Sequence, residues 1–146
     1  MKKEDIIKQL VPGVVVGLVL GFVLTLVVGV NTENPIPNYI GGAMCCFVPT
    51  LLNCMIVLKG TAGVLKRKLS LGQSFLKTIP YALIALVFGF AFVALIVEKI
   101  MGLNTCEINT LITAIYQAIL GVVVSTISAY FALKQYEKSV KYKRRK

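Results

Sequence analysis

The stretch PGVVVGLVLGFVLTLVVG, residues 12–29, decides the fold. It contains no charged residue, and an uncharged apolar segment of about 18 or more residues is long enough to cross a bilayer as a helix. Glycine weakens a helix in water, yet small residues recur here at every fourth position. These residues are Gly13, Gly17, Gly21, Thr25 and Gly29. The stretch therefore predicts a membrane-spanning helix with one face of small residues.

Three further blocks have the same character. The chain has 146 residues, of which 57% are hydrophobic and 15% are charged, whereas a soluble domain has about 45–50% and about 25%. The apolar residues are concentrated in four blocks without Asp, Glu, Lys or Arg, at about 10–30, 39–58, 79–97 and 111–133. Because lipid offers the backbone no hydrogen-bond partners, each block is expected to be a helix. We predict an all-α integral membrane protein, with one domain over residues 1–146 that forms a four-transmembrane-helix bundle.

The basic residues predict the orientation of this bundle. The net charge is +10, and fifteen of the sixteen basic residues lie in the N-terminal segment, the middle connection or the C-terminal tail, 134–146. The other two connections hold only Lys99. Lys and Arg are enriched in cytoplasmic loops. We therefore expect a multi-pass protein of the cell (cytoplasmic) membrane with both termini in the cytoplasm.

The same charges predict a partner, the anionic lipid of the inner leaflet. The residues assigned to topology and to lipid headgroups are Lys66, Arg67, Lys68, Lys143, Arg144, Arg145 and Lys146. Nucleic acid is not expected as a partner, because no aromatic-interleaved binding module accompanies the basic tail. In the middle connection, Leu65, Leu69 and Leu76 fall near one helical face, which predicts a short interfacial helix, although Gly72 weakens this interpretation.

The two halves of the chain resemble each other. Pro12 and Pro80 are each followed by Gly-Phe nine residues later, and both prolines fit the first turn of a helix. The second and fourth helices, here called the return helices, carry small or polar residues at matching positions: Gly42 with Ala114, Asn53 with Ser125, and Cys54 with Thr126. The pattern predicts two duplicated parallel hairpins, 9–58 and 77–133, related by an axis along the membrane normal. Chance matching in a sequence rich in Val, Leu, Ala and Gly is the alternative.

Small-residue faces are the predicted sites of helix packing. Lipid is as apolar as Leu, so membrane helices associate through close van der Waals contact and hydrogen bonds. The first helix offers the series named above, and the fourth helix offers a second face. That face contains Ala114, Ala118, Gly121 and Ser125. The first face is expected to pack on the fourth helix or, as a glycine zipper, on a second copy of the chain.

A kink with polar neighbours is predicted in the second helix. Pro49 removes a backbone donor near the middle of this helix, and Thr50 and Asn53 follow within a turn. Gln117 is the polar residue of the outer half of the fourth helix. Bundles use such groups to bend and to bond to neighbouring helices, whereas transporters use them to line a path. Both interpretations stay open for these four residues.

No catalytic, metal or cofactor site is predicted. The chain has no histidine, so triads and histidine-metal sites are excluded. Its cysteines are Cys45, Cys46, Cys54 and Cys106, without a Cys-x-x-Cys pair; a disulfide from Cys106 to Cys45 or Cys46 stays open. Glu33, Glu98 and Glu107 are expected to be solvated loop charges. No Asp, Glu, Lys or Arg lies within a block, which disfavours proton-coupled carriers.

Three functional hypotheses follow. The first is a non-enzymatic accessory, assembly or scaffolding subunit that packs on a larger membrane complex or on copies of itself. The second is an oligomeric transporter or channel for a neutral or weakly charged solute, since four helices rarely enclose a path alone. The third, less favoured, is a membrane thiol-redox protein. The first leads because transport needs a polar path that the sequence indicates only faintly.

Overall fold

A computed structural model describes residues 1–145. It contains four helices: α1 (Lys3–Val28), α2 (Pro35–Val64), α3 (Leu71–Ala91) and α4 (Thr110–Arg145). The third helix continues with π-helical hydrogen bonding over Phe92–Ile100. Each of the four is long and apolar enough to cross a membrane. The predicted class, an all-helical protein with four candidate membrane spans, is confirmed.

The central helices of the bundle are α2 and α4. Helix α1 packs against both of them, whereas α3 packs mainly against α2 and contacts α4 less extensively. Within residues 1–145, α1 and α3 do not contact each other. Helices α1 and α3 therefore flank the central pair.

The two ends of the bundle differ in composition. At one end, here called the basic end, the Met1 amino group contacts Glu137, and the Arg144 guanidinium donates to the Leu65 carbonyl at 3.3 Å. This end holds the N-terminal turns, the α2–α3 connection and the last turns of α4. The opposite end, here called the far end, holds the α1–α2 and α3–α4 connections, where Asn38 Nδ2 lies 3.8 Å from Cys106 Sγ.

The helices extend beyond the apolar blocks at the basic end. Helix α1 begins at Lys3 rather than near residue 10, and α4 continues to Arg145 rather than ending near residue 133. The helix dipole favours acids in a first turn and bases in a last turn. Helix α1 has Glu4 and Asp5 in its first turn, and α4 has Lys143, Arg144 and Arg145 in its last. The predicted tail is thus helical over residues 134–145, and Lys146 lies outside the described residues.

The prediction of an interfacial helix in the middle connection is wrong. Helix α2 ends where Lys66 takes a left-handed conformation (φ 52°). Helix α3 then begins at once, because Ser70 and Gln73 form a capping box: Ser70 Oγ accepts from Gln73 N at 3.2 Å, and Gln73 Oε1 accepts from Ser70 N at 3.3 Å. The connection is a short turn between two long helices.

The prolines are also placed differently from the prediction. Both were expected in the first turn of a helix, but Pro12 lies inside α1 and Pro80 lies inside α3. The reason is that polar turns extend each helix on the N-terminal side of its apolar block, the second of them started by the Ser70 cap. Each proline is exposed on its helix.

Helices α2 and α3 meet at a pair of glycines. A Cβ added to Gly89 would lie 2.6 Å from the Gly42 carbonyl oxygen and 3.0 Å from Ala43 Cα. A Cβ added to Gly42 would lie 2.4 Å from Val93 Cγ2. The two backbones are therefore in near contact, and neither glycine was among the predicted packing residues.

We expect Gly89→Ala to destabilise the protein, because its Cβ would collide with backbone atoms of α2. Overpacking of this kind costs about 1–3 kcal/mol. The matched control is Gly63→Ala in α2, where an added Cβ meets nothing within 4 Å and alanine is the better helix former. Thermal unfolding of the two purified variants in one detergent measures the difference; equal midpoints would contradict the close contact.

Candidate functional site

Buried polar side chains connect α1, α2 and α4 along their contact, here called the polar seam: Thr25, Cys45, Asn53, Gln117 and Ser125. Each of them is buried. Asn53 Nδ2 of α2 donates to Ser125 Oγ of α4 at 2.7 Å. Such bonds between membrane helices contribute about 0.6–2 kcal/mol each. This pair joins the two central helices in the half of the bundle nearer the basic end.

The second contact of the polar seam lies closer to the far end. The Thr25 hydroxyl of α1 donates to Gln117 Oε1 of α4 at 2.9 Å. Cys45 Sγ of α2 lies 3.5 Å from the same oxygen and 3.3 Å from Thr25 Oγ1. One amide of α4 thus contacts two helices at once.

The small residues of α1 allow this arrangement. A Cβ added to Gly13 would lie 2.9 Å from Asn53 Oδ1, and one added to Gly17 would lie 3.4 Å from Ser125 Oγ. A Cβ added to Gly21 would lie 3.0 Å from Ala118 Cα. The α1 backbone therefore lies directly against the polar seam and the small residues of α4.

Two members of the predicted packing set have different surroundings. Ala114 is fully buried in α4. Gly29, by contrast, is the C-cap of α1 with φ of 74°, and an added Cβ there would meet nothing within 4 Å. The close contacts of α1 thus end at Thr25. Gly29 instead adopts the positive φ with which the helix ends.

Pro49 and Gly121 form a complementary pair. Proline has no N–H, so it leaves the carbonyl of Cys45 without its helical donor. That carbonyl is directed at α4: a Cβ added to Gly121 would lie only 2.3 Å from the Cys45 oxygen and 3.8 Å from Pro49 Cγ. The glycine admits the freed carbonyl, and a larger residue would not.

The residues predicted for a kink or a path lie inside the helix contacts of one chain. Thr50, Asn53 and Gln117 are each at most 2% exposed, and Pro49 is also buried. Thr50 Oγ1 and Asn53 Oδ1 have no hydrogen-bond partner within residues 1–145. These atoms are polar, but they are covered by neighbouring helices.

The Glu98 carboxylate accepts hydrogen bonds from two other elements at the far end. Glu98, at the end of the π-helical segment, accepts a hydrogen bond from the Tyr39 hydroxyl of α2 and another from Thr105 Oγ1 at 2.5 Å. Thr105 lies in the α3–α4 connection and is buried. Glu98 is therefore a half-buried hydrogen-bond acceptor within a helical segment, whereas the sequence suggested a loop charge.

The cysteines are unpaired in the described part of the chain. Cys45, Cys46 and Cys54 are buried, and Cys106 is half-buried near Asn38 at the far end. Within residues 1–145, no three Cys, Asp or Glu side chains form a group that could hold a metal ion.

The basic end contains a cleft of about 520 Å³ between α3 and α4, here called the basic cleft. Three of the predicted headgroup residues, Arg67, Lys68 and Lys143, line it. Lys66 lies in the adjoining turn, while Arg144 and Arg145 end α4. The sequence had not indicated Tyr136 or Ser139, which also line the cleft, because they lie beyond the apolar block of α4.

Comparisons of the chain with protein-family models, curated proteins and solved structures gave no match. Its function is therefore inferred from its own geometry and chemistry.

We expect Gly121→Ala to destabilise the protein by about 1–3 kcal/mol, since the new methyl group would press on the Cys45 carbonyl. In a Pro49→Ala background that carbonyl regains its helical donor and can withdraw, so the cost of Gly121→Ala should fall. Gly41→Ala is the control, because its nearest neighbour would be Gln117 at 3.9 Å, an ordinary contact. Unfolding measurements on all four variants of this double-mutant cycle give the coupling; strictly additive effects would refute the pairing.

Proposed function

We propose that this chain is a non-enzymatic accessory, assembly or scaffolding subunit of the cytoplasmic membrane. The observation that carries the proposal is the use of the interior polar groups. Asn53 with Ser125, and Thr25 with Gln117, form bonds between helices instead of bordering an open path. A bundle built in this way is suited to holding a fixed shape for other molecules to bind.

The outer surface suits the same role. Large apolar side chains are exposed along the flanks, including Val15 and Val23 on α1 and Ile84 and Val87 on α3. In a bilayer these side chains meet lipid or the helices of a partner. The proposed partners are a larger membrane complex or further copies of the same chain.

The charge distribution supports an orientation with both termini in the cytoplasm. The N-terminal turns, the α2–α3 connection and the end of α4 come together at the basic end, where Met1 contacts Glu137 and Arg144 contacts Leu65. Lys99 is the basic residue of the far end. Because positive charge is retained on the cytoplasmic side, the basic end is assigned to the cytoplasm.

The contacts also support the duplication of hairpins 9–58 and 77–133. Asn53 and Ser125 are 72 residues apart, as are Cys45 and Gln117, and the same offset relates Pro49 to Gly121 (121 − 49 = 72). This offset is the one that aligned the return helices in sequence. An axis of pseudo-symmetry between α2 and α4 would bring equivalent residues face to face in this way.

The flanking helices supply an independent comparison. Gly21 of α1 contacts Ala118 of α4, and Gly89 of α3 contacts Cys46 of α2. The sequence alignment pairs Gly21 with Gly89, and the 72-residue offset pairs Cys46 with Ala118. The two contacts are thus equivalent under the proposed duplication.

An oligomeric transporter for a neutral or weakly charged solute is the second candidate. It is favoured by Thr50 Oγ1 and Asn53 Oδ1, polar atoms beside Pro49 that lack partners within residues 1–145. A path would require the helices around them to separate. Ser128 is a half-buried residue of α4 outside the polar seam and serves as the control. Solute flux in liposomes that is lost on Asn53→Ala and on Gln117→Ala, but not on Ser128→Ala, would favour this candidate over the first.

We expect gentle extraction to recover the chain in an assembly. Native mass spectrometry of membranes solubilised without delipidation should give a mass above that of one chain, through further copies or a second subunit bound to the exposed apolar flanks. The same preparation after harsh detergent, which competes for these flanks, is the control. Recovery of only a monomer under the gentle conditions would argue against the accessory role.

We expect labelling of single cysteines to place the basic end inside the cell. In a Cys106→Ala background, Glu33→Cys at the far end should react with a membrane-impermeant maleimide on intact cells. Lys138→Cys at the basic end should react only after the cells are permeabilised. Both positions are exposed, so the reverse pattern of labelling would overturn the orientation.

A further inference from the structure

The basic cleft is lined by an unusual concentration of positive charge. Arg67 and Lys68 approach it from the α2–α3 connection, Lys77 from α3 and Lys143 from α4. Tyr136 and Ser139 of α4 add hydroxyl groups. Four basic residues and two hydroxyl-bearing residues therefore line one concave space of about 520 Å³, which is within the usual range of about 300–1,000 Å³ for ligand sites.

These cations are not neutralised by the protein. No carboxylate lines the cleft. Within residues 1–145 the ion pairs all use Glu137, whose partners are the Met1 amino group, Lys134 at 3.6 Å and Lys141 at 3.0 Å. The charge of Arg67, Lys68, Lys77 and Lys143 is thus available to a ligand.

A second cleft of about 320 Å³ continues from the first toward the apolar part of the bundle. It shares Lys77, Tyr136 and Ser139 with the basic cleft and is otherwise lined by residues such as Leu58, Pro80 and Ala132. The combined space is basic at the end of the bundle and largely apolar toward its middle. A free anion would use the first part only, whereas a phospholipid would use both.

We propose that this combined cleft binds an anionic phospholipid, with its phosphate among the four cations and its glycerol and upper acyl chain against Pro80 and Ala132. Arg and Lys are the side chains that bind phosphate oxygens, and basic pockets between membrane helices bind such headgroups. Charge complementarity favours a headgroup with two phosphodiester groups, as in cardiolipin, over one with a single phosphate. The inference rests on the proposed function to the extent that the basic end must face the anionic leaflet.

The test is native mass spectrometry of the full chain titrated with cardiolipin, phosphatidylglycerol or phosphatidylcholine in one detergent. Cardiolipin should bind more tightly than phosphatidylglycerol, and phosphatidylcholine should bind least. The double variant Lys77→Gln/Lys143→Gln should bind cardiolipin at least about tenfold more weakly. The control, Lys2→Gln/Lys138→Gln, removes the same charge from exposed positions outside the cleft and should change the affinity less than about twofold.

Each other outcome overturns the inference. If the two double variants lost cardiolipin affinity equally, the binding would depend only on net charge. If excess inorganic phosphate displaced the lipid, the cleft would be a simple anion site. Equal binding of phosphatidylcholine would remove the role of the cations. The proposed function is tested by other measurements. Labelling of Glu33→Cys and Lys138→Cys tests the orientation, and the native assembly mass tests for a partner.

Discussion

The close approach of helix backbones is the constraint on which this bundle depends. In lipid, apolar side chains gain little from leaving their surroundings, so helices are held together by short-range contact and by hydrogen bonds. Both require small residues at the crossing points. Gly89 meets the backbone of Gly42, and Gly21 meets the backbone of Ala118. The core of the bundle is therefore narrow, and polar side chains occupy much of it.

This narrow core determines where polar groups can be buried. A hydroxyl or amide in the membrane is costly unless it is bonded, and the close backbones bring Asn53 within 2.7 Å of Ser125. The same closeness gives the Cys45 carbonyl, which Pro49 deprives of its donor, a place against Gly121. Pro49 and Gly121 lie on two different helices but belong to one contact, and neither residue can be understood alone.

The sequence predicted the features that depend on composition and missed those that depend on which faces meet. Uncharged length alone predicted four helices long enough to cross a bilayer. Gly42 and Gly89 were not predicted as packing residues, since a glycine in the sequence does not reveal its partner. The hydrocarbon thickness fixes the apolar part of a helix but not its ends, so the helical extension to Tyr136 and Ser139, and with it the basic cleft, was not foreseen. The hydrogen bonds of Glu98 were not foreseen because its partners, Tyr39 and Thr105, lie on separate elements.

The two hairpins differ at one informative place. In the first hairpin, the Gln9 side chain of α1 packs directly on α2. A Cβ added to Gly60 would lie 1.7 Å from Gln9 Oε1. Under the proposed duplication the equivalents of Gln9 and Gly60 are Lys77 and Ala132, by the offsets that relate Pro12 to Pro80 and Asn53 to Ser125. These two residues both line the second cleft. Lys77 carries a positive charge where Gln9 carries an amide, and Ala132 carries a methyl group where Gly60 has a hydrogen. Under the proposed duplication, the second hairpin therefore differs from the first at the place where we propose that a phospholipid binds.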